Sequence, residues 1–478
     1  MKRAILSCLV GALMAAAGGS AHGADPPSLP FTVTLREVTF AAVPGLQSFA
    51  VARAADGRWL CIGGRQAGLH GRSSSPPLTD NFNKLNDRAW VIDAAGRHVA
   101  SRRLVELGLT ASVADSLAVV HPEFVQDGDR LYLVGGYGLP TGGQTMRTYG
   151  SLTVVDVPQV MTAIVDGTAA GDHIRQSPPN PNLRVTGGSL GLIGGTFYLA
   201  FGQQINFNYS EAVNGLYTFQ VRPFRITDTG AVVSVTMDAA VGDDSANPGF
   251  RRRDLNVLAA IRPDGGRRLT AYGGVFQPRD RTAWTRPIDI DPPASGSGPP
   301  SVIETAGAFQ QRFCQYNCAT LAIHSAASKS MYAVFFGGIS QAIYTEGGGF
   351  QNDEGLPFVD LVSCISRAAN GSAAEFLVGK GDGAATTAPL RLPALLGAGA
   401  RFIPAPPSVG VLELDALRGD ILAGHIYGGI VSDKPHGGTT DASNRIFEVH
   451  VAPVASAAIA VPAAPPLPIK STPQGVLQ

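Results

Sequence analysis

The sequence predicts an all-β fold, a six-bladed β-propeller with four antiparallel strands per blade, and three observations predict it. An apolar strand ending in a glycine pair or a close variant recurs six times: RWLCIGG at 58–64, RLYLVGG at 130–136, TFYLAFG at 196–202, RLTAYGG at 268–274, MYAVFFGG at 331–338 and LAGHIYGG at 422–429. The first glycines fall at 63, 135, 202, 273, 337 and 428, so the copies are 72, 67, 71, 64 and 91 residues apart. Each copy is flanked by further strand patterns, and four short strands per unit repeated around a ring make a propeller.

Within each unit the first strand enters the glycine-ended strand through a tight turn, as in FAVARAADGRWL and FVQDGDRLYL. Asp-Gly and Gly-Gly supply the positive φ that short hairpins require. A polar loop follows each glycine pair and leads into a third strand: AWVIDAAG, SLTVVDVP, LYTFQVRPFRI, AWTRPIDI, PFVDLVSCISR and IFEVHVAP. Five of these open on an aromatic, Trp90, Tyr217, Trp284, Phe358 or Phe447, with Leu152 in the sixth. A fourth strand such as HVASRRLVEL completes most units. The glycines end strands where blades crowd, and the aromatics fill space between blades. The sixth unit stops after its third strand, whereas FTVTLREVTF at 31–40 is a strand without a unit. The N-terminal strand is therefore expected to close the last blade.

The order of strand, glycine pair, loop and aromatic-led strand resembles the kelch repeat over nearly all of residues 31–452. The third copy departs from it with Phe201-Gly202. What the resemblance implies is a fold and a habit of binding through the loops of one face, in an exported, bacterial protein, without a particular activity.

Residues 1–24 carry Lys2 and Arg3, an apolar run from Ala4 to Ala17 and small residues at Ala21, Gly23 and Ala24, the pattern of a cleaved signal peptide. The expected organisation is a signal peptide at 1–24, one propeller at 25–452 and an Ala/Pro-rich mobile tail at 453–478, in a periplasmic or secreted protein. No later run reaches the length of a membrane span. With 58 Gly, 45% hydrophobic and 15% charged residues, the chain has the apolar surface to fold and the turns to fold as β. Its 37 basic and 37 acidic side chains cancel, which provides no pull towards nucleic acid. A monomer is expected.

The mature cysteines are Cys61, Cys314, Cys318 and Cys364. Cys314 and Cys318 are close enough in RFCQYNCAT to bridge in an oxidising compartment, whereas Cys61 and Cys364 fall within apolar strands. Neither a zinc nor another cofactor site is expected. The loop DNFNKLND at 80–87 offers oxygen ligands but lacks the glycine and the closing glutamate of a calcium loop.

The loops after the glycine pairs, Arg65–Arg88, Tyr137–Gly150, Gln203–Gly215, Val275–Ala283, Ile339–Leu356 and Ile430–Arg445, emerge on one face and make it the expected binding surface. Polar residues at the entrances of the innermost strands are the candidate ligand contacts: Glu123, Arg184, Arg253, Asp254, Asn256, Tyr316, Asn317 and Arg401, with His121 nearby. Convergent Arg, Asp, Glu and Asn could grip a carboxylate or a sugar; the same side chains could instead fix one blade to the next. No phosphate loop, His-Glu-x-x-His or Asp box is present. The expected function is a non-catalytic binding module for a glycan, a small sugar acid or a protein.

The alternative is a sugar-acid epimerase or mutarotase, since the exported six-bladed kelch proteins include N-acetylneuraminate epimerase, which the chain resembles in architecture and compartment. That resemblance implies an acid or base, Glu123 or Asp254, and a carboxylate-binding Arg253 or Arg184. A copper radical oxidase of the galactose oxidase type resembles the chain only as a propeller, and its Tyr–Cys crosslink has no counterpart in cysteines that lie within strands.

Overall fold

The computed structural model describes residues 28–463 except 41, 71–83, 209–214, 245, 279–281, 295, 297, 305–308, 381–387 and 407–409. The expected signal peptide at 1–24, residues 80–83 of the oxygen-rich loop and the residues from 464 lie outside the described residues.

Six antiparallel blades form the expected propeller. Blade 1 comprises Ala50–Arg53, Trp59–Ile62, Arg88–Asp93 and His98–Arg103. Blade 2 comprises Glu123–Asp127, Arg130–Val134, Leu152–Asp156 and Ile174–Gln176. Blade 3 is Ser189–Ile193, Thr196–Ala200, Val221–Asp228 and Val233–Met237, and blade 4 is Asn256–Ile261, Arg267–Tyr272, Ile288–Asp291 and Ser301–Glu304. Blade 5 is built from Ala319–Ser325, Ser330–Ile339, Phe358–Arg367 and Ala373–Val378. Blade 6 takes Leu395–Pro404, Ile421–Ser432 and Ile446–Ala452, and its outer strand is the N-terminal Thr32–Val38, paired from Thr32 with Ala452 to Val38 with Ile446. The ring closes as the unassigned first strand predicts.

The core lies between the blades. Leu60, Ile62 and Val91 of blade 1 pack with Leu131, Leu133 and Val155 of blade 2, and Tyr132 of blade 2 meets Phe197 of blade 3 edge-on with 4.9 Å between ring centroids. The glycine pairs stand where the next blade presses closest: a Cβ on Gly135 would strike the Val185 carbonyl. In the third copy Phe201 keeps the same left-handed backbone, φ 58°, although it is not glycine.

Three expectations are corrected. Residues from 453 on are not wholly a mobile tail, because Ser456–Val461 forms a strand that pairs with Ala373–Val378 on blade 5 and takes Ser28–Leu29 on its other side. The alternation in SAAIAV forms a strand before Pro462 interrupts it. Tyr217 does not lead the third strand of blade 3 but belongs to a short loop hairpin with Gln203–Gln204, and Phe224 provides the aromatic, stacked on Phe197. Trp284 likewise precedes its strand and donates its indole N–H to the Arg251 carbonyl at 2.7 Å.

Helices were not expected. Val157–Asp166 carries Pro158 in its first turn and ends on Gly167 at φ 72°, and it buries Val157, Val160, Met161 and Ile164, the 3.6-residue stripe, against the core between blades 1 and 2.

Candidate functional site

The residue two positions before each innermost strand residue that faces the channel adopts a left-handed backbone: Ser48, His121, Gly187, Asp254, Asn317 and Gly399, with φ between 49° and 72°. One comes from each blade, and they ring the channel. Backbone hydrogen bonds run between successive members: Ser48 N–H to Gly399 O at 2.8 Å, His121 N–H to Ser48 O at 3.0 Å, Asp254 N–H to Gly187 O at 2.6 Å, and Gly399 N–H to Asn317 O. The residue before each ring member bridges the residue after a glycine pair, as Gln47 does Arg65 and Arg253 does Val275. The ring is a neck that the repeat builds six times.

The neck separates two cavities that share His121, Gly187, Asp254 and Asn317 in their walls. The larger, about 720 Å³, opens among the loops that follow the glycine pairs and is a funnel lined by Arg65, Tyr137, Gln203, Arg253 and Tyr316, with His436 and Glu354 at its rim. The smaller, about 210 Å³, lies beneath the neck and carries Glu123, Asn256 and Arg401.

Seven of the eight candidate residues therefore line these cavities, in two groups. Glu123, Asn256 and Arg401 occupy one repeat position in alternate blades and brace each to the next: Glu123 Oε1 accepts the Gly188 N–H at 2.8 Å, Asn256 accepts the Cys318 N–H at 3.1 Å and donates to the Gln315 carbonyl at 2.6 Å, and Arg401 Nε donates to the Phe49 carbonyl at 2.7 Å. The same position holds Ala50, Ser189 and Ala319 in the other three blades. Burial pushes the Glu123 carboxyl up to about 8, against the Gly188 hydrogen bond and Arg401, which lower it. It also pulls Arg401 down to about 10, with Glu123 opposing. Arg253, Asp254, Tyr316 and Asn317 face the funnel. Arg253 lies over the Phe276 ring at 5.1 Å, with its Nε 3.7 Å from Asp254 Oδ2. Arg184 is exposed, follows the short helix Pro181–Leu183 and lines neither cavity.

The expected Cys314–Cys318 bridge is absent. Both are free, buried thiols that face different cores, Cys314 with Val275 and Ala283 and Cys318 with Leu258 and Tyr272. Burial raises both, Cys318 to about 12. The charged networks that join blades lie away from the neck, where Arg175 reaches Asp156 within blade 2 and Asp228 of blade 3.

Ser48, Gln47 and Arg65 were not anticipated, although the repeat phase that marks His121 and Asp254 also marks Ser48. His121 Nε2 lies 3.0 Å from Ser48 Oγ and His121 Nδ1 3.9 Å from Asp254 Oδ1, an order of groups that invites comparison with a nucleophilic triad. Ser48 cannot serve as its nucleophile, because it is fully buried and its hydroxyl proton goes to Gln47 Oε1. Gln47 Nε2 in turn donates to the Ala67 carbonyl at 3.3 Å, which fixes the amide. His121 Nε2 therefore carries a proton and donates it to Ser48, while Nδ1 is an acceptor directed at the neck. Burial pulls the imidazole down to about 4, against the pull of Asp254, so it is neutral at pH 7.

Among the described residues no group of three His, Cys, Asp or Glu could hold a metal ion, and no helix is long and apolar enough to cross a membrane.

Fold and site together define a six-bladed β-propeller with a polar neck beneath a funnel on its loop-rich face. No family model matches the chain, and no curated protein matches it. Among solved structures it is similar to that of YjhT, with a TM-score of 0.45 and 11% identity over 84% of this chain and 94% of that one.

Proposed function

We propose that the propeller is an exported binding module that takes a small carboxylate-bearing ligand, a sugar acid or the acidic end of a glycan, in the funnel of its loop-rich face. The observation that supports this most is the placement of two buried guanidiniums, Arg65 from blade 1 and Arg253 from blade 4, in one cavity of about 720 Å³. That volume suits a small molecule, and a planar fork buried in a wall suits a carboxylate. The kelch-like order of the repeat and the signal-peptide pattern at 1–24 fit a periplasmic or secreted monomer that works through its loops. Calorimetric titration of the mature chain with D-glucuronate and with methyl β-D-glucoside tests the reading. Binding of the acid alone, lost in Arg253→Gln, supports it; equal binding of both, or binding that survives Arg253→Gln, overturns it.

The second reading, a sugar-acid mutarotase, is favoured by one observation. Glu123, raised to about 8, and His121, lowered to about 4, line the same lower cavity, which pairs a proton donor with an acceptor at neutral pH. Polarimetry of freshly dissolved α-D-glucuronate decides it: the protein speeds anomer exchange and Glu123→Gln does not, or the reading fails.

A further inference from the structure

The neck holds two hydrogen-bond acceptors that face each other without a proton between them. The chain from the Ala67 carbonyl through Gln47 and Ser48 fixes His121 with its proton on Nε2, so Nδ1 offers a lone pair. Asp254 Oδ1, 3.9 Å away, offers another. Neither satisfies the other, and both residues line the funnel as well as the cavity beneath. About a quarter of each side chain is uncovered, 26% and 24%, so a ligand entering the funnel reaches both.

From this we infer that His121 Nδ1 and Asp254 Oδ1 form a subsite for a vicinal diol, and that the ligand is a hydroxy acid whose adjacent hydroxyls donate to this pair while its carboxylate meets Arg253. The inference rests on the carboxylate reading above and specifies what else the ligand must carry. The spacing suits the diol. Two neighbouring hydroxyls each donate one proton to one acceptor, and their oxygens lie side by side as the acceptors do. A first-row metal bound at about 2.1 Å to both atoms would force the angle at the metal to about 135°, far from tetrahedral or octahedral. A single hydroxyl has one proton and leaves one acceptor unmet, which a buried site penalises.

Arg253 is placed for the other end of the same ligand. Its Nε stands 3.7 Å from Asp254 Oδ2, on the opposite oxygen from the one facing His121. The charged and titratable groups around the pair are Arg253, Arg401 and Glu123, in addition to Asp254 itself. Asn317, the next ring member, adds a third polar side chain at the same level.

A matched pair of probes tests the inference: D-glucuronate, a six-membered ring with a carboxylate and adjacent hydroxyls, and cyclohexanecarboxylate, the same ring size with the carboxylate alone. Each is titrated calorimetrically into the mature wild type, His121→Asn, Asp254→Asn and Arg253→Gln. Asn is chosen because it tolerates the left-handed backbone that both neck residues adopt, φ 49° and 54°. The wild type is expected to prefer D-glucuronate by roughly tenfold or more. Either Asn variant should bring that ratio close to one; His121→Asn should also leave the affinity for cyclohexanecarboxylate within about twofold, whereas Asp254→Asn removes a negative charge beside Arg253 and should change the affinity for both acids in the same direction. Retention of the preference in both Asn variants overturns the diol subsite. Equal binding of the two probes by the wild type also overturns it, yet leaves the carboxylate reading standing if Arg253→Gln abolishes both. Failure of the wild type to bind either probe overturns both readings. Should one Asn variant not fold, the other decides.

Discussion

Glu123 Oε1 on the innermost strand of blade 2 accepts the backbone N–H of Gly188, which opens blade 3, at 2.8 Å. Asn256 makes the corresponding contact to Cys318, and Arg401 bonds the corresponding Phe49 through its carbonyl. Three side chains of different charge thus perform one task at one repeat position. The shared task is what identifies them as braces, and a charge at such a position is not by itself a sign of a ligand.

Glu123→Gln keeps an acceptor for the Gly188 N–H and should fold normally at pH 7, whereas Glu123→Ala leaves that N–H buried and unpaired at a cost of roughly 1–3 kcal/mol. The pH dependence separates the charge from the brace. Burial raises the folded Glu123 to about 8, above the ordinary unfolded value near 4.3, so between these values the folded state holds the proton more tightly. Its contribution is full below about pH 4.3 and falls as pH rises towards 8, with a slope of at most about 1.4 kcal/mol per unit. Glu375, raised to about 7, adds a slope of the same sign. Denaturant titrations at pH 5 and pH 8 should show Glu123→Gln losing less stability across the interval than the wild type; an equal loss would remove Glu123 from the account.

His121 works in the opposite direction. Its folded value of about 4 lies below the unfolded 6.5, so the unfolded chain binds the proton first and stability is lost as pH falls from about 6.5 to 4. Nitrogen-15 spectra of histidine-labelled protein at pH 6 should show the His121 ring neutral, protonated at Nε2 and bare at Nδ1. Ser48→Gly, which tolerates the left-handed backbone at φ 55° but removes the acceptor, should let the two tautomers mix. A protonated ring at pH 6, or an unchanged tautomer in Ser48→Gly, would break the chain of bonds from Ala67 to the neck.

All four described cysteines are free and buried, so none should react with a maleimide in the native state and all should react after denaturation. The melting temperature should be the same with and without reductant. A drop on reduction would mean that Cys314 and Cys318 pair after all.

Much of this architecture was legible because the repeat fixes phase. Six glycine-ended strands define the inner and second strands of every blade, and the spare strand at Thr32–Val38 could only complete blade 6. The same phase placed Asp254, Asn317 and Glu123 at the channel. It failed for Arg184, which lies three positions before the ring member Gly187, where the chain still runs through the short helix outside the channel. It also failed for the cysteines, since four residues of separation say nothing of a turn that sends the two thiols into different cores. Ser48 and Gln47 are uncharged, and only their repeat position, not their chemistry, marks them.

The C-terminal strand was missed because alanine and proline dominate the composition around it, although SAAIAV alternates as a strand should. Its position on blade 5 makes a separate expectation. Ser456 Oγ donates to the Phe31 carbonyl at 2.6 Å, and Leu29 pairs with Ser456, so this strand ties the start of the described chain to its end one blade away from the closure in blade 6. Truncation after Val454 removes the strand and uncovers the edge of Ala373–Val378, where Leu377 and Val378 are fully buried. Against a chain ending at Ala463, the shorter protein should lose on the order of 3 kcal/mol, the burial of one or two aliphatic side chains, and should aggregate more readily through the exposed edge. Equal stability of the two truncations would mean that the closure in blade 6 alone holds the ring, and that the pairing on blade 5 contributes only to solubility.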